Sequence, residues 1–196
     1  MAHYNLTTPL SEDDVRQLKV RDTVVVDGHI FGIRDATQIR MFDQQQEPPV
    51  DLKGAICIHT APSLRKVGDK WEKISIGTTT STRMERFTPP LIEKYGVRAI
   101  VGKAGLLEGS LEAMKKFGAC YLAIVGGAAA LETTQIEEVE EVHWEDLHPE
   151  AIYKFRVKDF GPLIVAMDPH GNHLYFDVKK QITQKLPELY KSLGVE

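Results

Sequence analysis

Runs of β-branched and apolar residues alternate along the chain with segments that carry helix caps. Thr23 to Val26 and His29 to Ile33 have strand composition, and Asp27-Gly28 between them supplies positive φ, which predicts an antiparallel hairpin. Ser11-Glu-Asp-Asp opens a short helix as a capping box, and Ala36 to Phe42 reads as another helix. Ala55 to His59 is an apolar run of strand length, and Leu64 to Ile76 predicts a second hairpin turning near Gly68-Asp69. In Thr88-Pro-Pro-Leu-Ile-Glu-Lys-Tyr-Gly a capping hydroxyl, proline at the first helical position and a following glycine mark a helix. A strand from Val97 to Val101, a helix from about Ser110 to Phe117 and a buried strand from Cys120 to Val125 come next. That α-β-α-β alternation implies parallel pairing. Ile152 to Val157, Leu163 to Met167 and Leu174 to Val178 read as strands, the last two joined across Asp168-Pro-His-Gly-Asn, before a terminal amphipathic helix starting near Lys179. The expected fold is α/β, a mixed antiparallel and parallel sheet with flanking helices in a single domain over residues 1–196. The one irregular stretch is Asp43 to Asp51, with its paired prolines.

Composition narrows the function classes. The chain is 42% apolar and 27% charged, an ordinary globular balance. With 24 basic against 28 acidic side chains its net charge is -4, so no general attraction for nucleic acid or an anionic membrane is expected, and any anion site must be local. Cys57 and Cys120 are too few for a disulfide framework, an iron–sulfur cluster or a zinc site. The longest apolar stretch, Ala119 to Leu131, is broken by Gly126-Gly127 and falls short of the roughly 18 residues of a membrane span. Met1 to Thr8 carries no export or organelle signal, so the expected location is the cytoplasm.

Three cations follow strands: Arg34 after Ile33, Arg83 after the run ending at Ile76, and Lys103 after Val101. Open α/β sheets bind ligands beyond the carboxyl ends of their strands, so these side chains are candidates to converge on one anion. Arginine forks suit a carboxylate bidentately and lysine adds a mobile point charge. Gly77-Thr-Thr-Thr-Ser-Thr-Arg places five consecutive hydroxyl residues before Arg83, a candidate anion cradle that includes Thr79 and Thr80. A Thr-rich loop is the plain alternative. Gly102-Lys103-Ala104-Gly105 matches neither the P-loop nor the dinucleotide fingerprint. Gly126-Gly127-Ala-Ala-Ala permits either close backbone approach or tight helix packing. His170 and His173 read as a solvated hairpin tip, His143 and His148 show no metal pattern, Cys120 reads as core, and Glu137 to Glu141 as a solvated face.

TTTSTRM, IVGKAG, RDAT after a strand and FGPLIVAMDPHGN occur here in one order and together resemble the β subunit of iron–sulfur hydro-lyases. That family contains the two-subunit class I fumarate hydratases and the L-tartrate dehydratases, and the likeness runs from about Leu6 to Tyr190. The resemblance implies a swivelling β/β/α-type fold and a chain active only with an α subunit. It implies that this partner carries the cysteines of a [4Fe–4S] cluster, and it suggests an α2β2 assembly. It places a dicarboxylate clamp on Arg34, Arg83 and Lys103 and the proton-transfer position on Thr79, with no metal ligand in this chain. The implied reaction is hydration of fumarate to malate. The alternatives are dehydration of L-tartrate to oxaloacetate or a non-catalytic anion-binding module. Thr60, Thr82, Ala104 and Ala128-Ala129 depart from the usual pattern, leaving the reaction class intact but weakening the choice between the two acids.

Overall fold

The computed structural model describes residues 1–125, 127 and 129–195. Its strands are β1 His3–Thr7, β2 Thr23–Ile33, β3 Ile56–His59, β4 Ser63–Val67, β5 Lys70–Ser75, β6 Ala99–Gly102, β7 Cys120–Ala123, β8 Ile136–His143 and β9 Ile152–Met167. The α-helices are α1 Glu12–Arg16, α2 Asp35–Phe42, α3 Thr88–Tyr95, α4 Glu108–Phe117, α5 Ala129–Glu132 and α6 Leu174–Leu193. The fold is mixed α/β, as the sequence predicts. No helix among the described residues is long and apolar enough to cross a membrane.

The strands run in the order β1-β2-β3-β6-β7-β9-β8-β5-β4, and β9 pairs with β2 as well. Strands β2, β3, β6, β7 and β9 therefore close a ring, with β8, β5 and β4 attached as an antiparallel flap. β3, β6 and β7 are parallel, as their alternation with helices requires. Side chains in β3 point alternately to the two faces. Ile56 and Ile58 join the cluster inside the ring, with Val101, Leu122 and Phe155, while Cys57 joins the cluster between the ring and the helices, with Leu91, Ile100 and Met114. Ring closure thus gives both faces of these short strands an apolar partner.

Several expectations hold. The Ser11 capping box is present, with Asp14 N–H donating to Ser11 Oγ at 3.1 Å and Ser11 N–H donating to Asp14 Oδ2 at 2.8 Å. The β4–β5 hairpin turns at Gly68, and α3 ends on left-handed Gly96 (φ 67°).

Others are corrected. Residues 23–33 form one continuous strand rather than a hairpin at Asp27-Gly28, because β9 runs antiparallel along most of its length and bulges near Val26 and Gly28 absorb the irregularity. Gly28 (φ 103°) serves a close approach instead: a Cβ there would lie 2.5 Å from Thr8 Oγ1. The two strands expected at 152–157 and 163–167 are one, β9. Leu174 to Val178 is not a strand but the start of α6, since His173 caps the helix by accepting from Phe176 N–H at 3.4 Å. His173 is also no solvated tip: it is buried, with Nε2 2.9 Å from the Leu106 carbonyl. Glu137, Glu138 and Glu140 are exposed, as expected of a solvated face, but they lie on a strand, β8, that the apolar pattern did not reveal. Part of the Gly126 to Ala130 reading lies outside the described residues.

Candidate functional site

The carboxyl ends of β3 and β6 are neighbours in the sheet, and the hydroxyl segment fits between them. Thr78 forms a bridge with Thr60 just past β3, and Thr80 forms one with Lys103 just past β6. Thr79 N–H donates to the His59 carbonyl at 3.0 Å and Ser81 N–H to the Lys103 carbonyl at 3.0 Å. The segment is therefore held as an extra strand across the sheet end and then turns into a short 3-10 helix, Ser81–Phe87. Thr82 Oγ1 donates to the Gly105 carbonyl at 3.0 Å, and the Glu85 carboxylate accepts from Leu107 and Ser110 N–H at 2.7 and 2.8 Å, tying this helix to the start of α4. These bonds make the residues from 78 to 87 and the Gly102 to Ser110 loop one unit.

The cations gather around it. Arg83 Nη2 lies 3.0 Å from Thr79 Oγ1 and 3.0 Å from Asp35 Oδ2. Arg34 Nε lies 3.3 Å from the same Asp35 oxygen and 3.3 Å from Glu150 Oε1. One carboxylate thus bridges both guanidiniums, and Thr79 contacts that of Arg83. Glu150 in turn accepts from Ala36 N–H at 2.7 Å, capping α2 and fixing where Arg34 leaves the backbone. Lys103 sits across the hydroxyl segment, half-buried, with no carboxylate within ion-pair distance among the described residues. Its loop is tightly bent: Ala104 (φ 71°) and Gly105 (φ 80°) are both left-handed. An alanine there carries a conformational cost that glycine would not.

Beneath the cations lies a buried polar network. His59 Nδ1 is 2.9 Å from Ser81 Oγ, Tyr121 O–H donates to Ser81 Oγ at 3.0 Å, and Gly105 N–H donates to the Tyr121 oxygen at 3.3 Å. All three side chains are fully buried. Burial pushes the His59 pKa down to about 3, opposed only in part by Asp35, so the imidazole is neutral. Burial likewise pushes the Tyr121 hydroxyl well up.

A family model described as the fumarase C-terminus matches residues 1–178. The chain belongs to the fumarase C-terminus family. The L(+)-tartrate dehydratase subunit beta of Escherichia coli K12 is 42% identical over 181 residues, covering 92% of this chain and 90% of that protein. The putative L(+)-tartrate dehydratase subunit beta of Methanocaldococcus jannaschii is 40% identical over 185 residues, 92% of this chain and 95% of that one. A putative fumarate hydratase class I of Geobacillus stearothermophilus is 40% identical over 185 residues, covering 93% of this chain but 35% of that protein. This fumarase C-terminus chain therefore corresponds to about a third of that longer protein.

The residues of this family member do not fit a cluster of their own. Cys57 and Cys120 are buried in β3 and β7, and burial raises both thiols, Cys120 to about 12, so neither offers a thiolate. Among the described residues no group of three His, Cys, Asp or Glu is placed to hold a metal ion. Arg34, Arg83 and Thr79 meet around Asp35, Thr80 pairs with Lys103 through a backbone bridge, and His173 rests against the adjoining loop at the Leu106 carbonyl. Sequence reasoning passed over Asp35, Glu150, His59 and Tyr121. Asp35 lay within the RDAT motif and was visible, but Glu150 and Tyr121 reach the site from remote positions that no local pattern signals.

Proposed function

We propose that this chain is the β component of a hydro-lyase acting on a C4 dicarboxylate, with Arg34, Arg83 and Lys103 gripping the substrate. The observation that carries the reading is the shared contact of Arg34 and Arg83 with the single Asp35 carboxylate, because two guanidiniums that already meet one carboxylate are placed to meet another. Removing a proton from a carbon beside a carboxylate builds negative charge on that carboxylate. Fixed cations then stabilise the transition state more than the bound acid. Arg83 and Lys103 supply that stabilisation. Thr79 is the proton-transfer group: an alcohol is a poor base at neutral pH, and the Arg83 guanidinium at 3.0 Å lowers the cost of its alkoxide. Thr80, bridged to Lys103, orients the bound acid.

The cluster belongs to an α subunit, as the "subunit beta" in the relatives' names suggests, and when bound it supplies a Lewis acid for the departing hydroxyl. The assembly is α2β2 and the setting the cytoplasm. Fumarate is the substrate that the FGPLIVAMDPHGN segment favours. Dehydration of L-tartrate is the second reading, favoured by the names of the two relatives that match along nearly their whole length. In that segment Asp168 accepts from Val20, His170 and Asn172 N–H at 3.0 Å each, so part of its likeness has a structural cause.

The test is reconstitution with an α-type partner. The complex should consume fumarate or L-tartrate and the isolated chain neither. A partner-free preparation that turns over either acid overturns the reading.

A further inference from the structure

We propose that His59 is a positioning residue for this clamp: as a neutral acceptor at Nδ1 it anchors Ser81, and through Ser81 it sets Thr79 and Arg83 against Lys103. The proposal rests on the hydro-lyase reading and adds to it a group that touches no substrate.

Proton counting fixes the polarity of the network. The Tyr121 oxygen accepts from Gly105 N–H, and the Tyr121 proton then goes to Ser81 Oγ. The Ser81 proton has His59 Nδ1 as its remaining acceptor, at 2.9 Å. Reversing the His59–Ser81 bond would leave two buried groups unpaired, the Ser81 hydroxyl proton, facing a Tyr121 oxygen that already accepts one, and the Nε2 lone pair, whereas the forward direction leaves one, the Nε2 proton. The forward direction therefore places the His59 proton on Nε2. That nitrogen is buried and has no hydrogen-bond partner among the described residues. A purely packing residue would not carry such an unpaired group, since an apolar side chain fills the space without it. The imidazole is explained by its other nitrogen.

Ser81 is the hub because both its backbone and its side chain are committed. Its N–H holds the Lys103 carbonyl, and its Oγ holds the end of β3 through His59 and the Lys103 loop through Tyr121 and Gly105. Thr79 and Arg83 lie two residues to either side of it. Gly102 leaves no slack: a Cβ there would stand 2.0 Å from Ser81 Oγ and 3.0 Å from the Tyr121 oxygen. Losing the Nδ1 acceptor frees Ser81 to rotate, and the clamp loosens without losing any of its cations.

Nitrogen-15 NMR of the histidine-labelled full chain reads the claim directly, with His59 assigned by its disappearance in His59→Asn. Nδ1 should resonate as an unprotonated acceptor and Nε2 as protonated, both constant from pH 8 to 5, and Ser81→Ala should shift Nδ1. In the reconstituted complex, His59→Asn keeps an acceptor near the Nδ1 position, whereas His59→Leu keeps only bulk. The asparagine variant should retain kcat/KM within about threefold, and the leucine variant should lose on the order of tenfold to a hundredfold. A protonated Nδ1, or a leucine variant as active as the asparagine one, overturns the proposal. Should neither variant fold, the ring shifts of the unaltered chain still decide it. A wild-type complex that acts on neither acid defeats the hydro-lyase reading instead, whatever the ring shifts say.

Discussion

Two polar networks in this protein do opposite work. On the β8–β9 flap, Arg156 reaches Glu138 at 2.5 Å and Glu140 at 3.2 Å, and Lys154 reaches Glu141 at 2.7 Å, all partly open to solvent. At the ends of β3 and β6, His59, Ser81 and Tyr121 are fully buried beneath the two arginines that share Asp35. Water screens the first network and makes its members interchangeable. The second has no solvent to substitute for a lost partner, so each group there is tied to one geometry. Function belongs where replacement is costly.

The largest contrast should come from the clamp itself. Arg83→Ala in the assembled complex should lower kcat/KM about a hundredfold or more, in line with the roughly 2.7–4 kcal/mol lost with one preorganised donor. Steady-state rates on fumarate and on L-tartrate check this, and a change under threefold on the acid it uses would break the contrast.

Gly102→Ala comes next. Its Cβ, 2.0 Å from Ser81 Oγ, must displace the hub, and about 1–3 kcal/mol of stability should go with it. Combining it with Ser81→Gly should recover part of that loss in urea denaturation, and strict additivity would show that the two do not meet.

The pH dependence of stability separates the networks further. The His59 pKa falls from the ordinary 6.5 to about 3 on folding, so below pH 6.5 the unfolded chain takes up a proton that the folded chain refuses. Stability contributed by neutral His59 is complete above pH 6.5 and is lost as pH falls toward 3, at no more than about 1.4 kcal/mol per unit, or roughly 2 kcal/mol by pH 5. Urea midpoints from pH 7 to 5 should show this slope in the wild type and a shallower one in His59→Asn. Equal slopes would place the proton elsewhere.

The smallest effect belongs to the flap. Arg156→Ala should leave the melting temperature within about 2 °C, with any difference gone at high salt. A large, salt-resistant drop would erase the distinction between the networks.

What the sequence revealed follows the same division. Local signals were sufficient where one segment decides its own form: the Ser11 cap, the α3 helix with its prolines near the start and Gly96 at its end, and the β6 and β7 strands between helices. Thr88, by contrast, is no cap, since α3 continues from the preceding 3-10 helix through Phe87 and the Thr88 hydroxyl donates to the Met84 carbonyl. They misled where a distant strand decides. Asp27-Gly28 looks like a turn until β9 lies antiparallel along β2, and Leu174 to Val178 looks like a strand until His173 caps it. That Arg34 and Arg83 lie together was legible in part, because motif order marks both, and Lys103 was marked by its place after β6. Glu150 was not, since it reaches α2 from 114 residues along the chain. Nor was the His59–Tyr121 link through Ser81, whose members stand apart in sequence.

The most direct measurement is a crystal structure of the assembled complex with succinate, a C4 diacid that lacks both the double bond and the hydroxyl. The account predicts its carboxylates within hydrogen-bond distance of Arg34, Arg83 and Lys103, beside Thr79. A diacid bound away from those residues, or reached by none of the three cations, would contradict it.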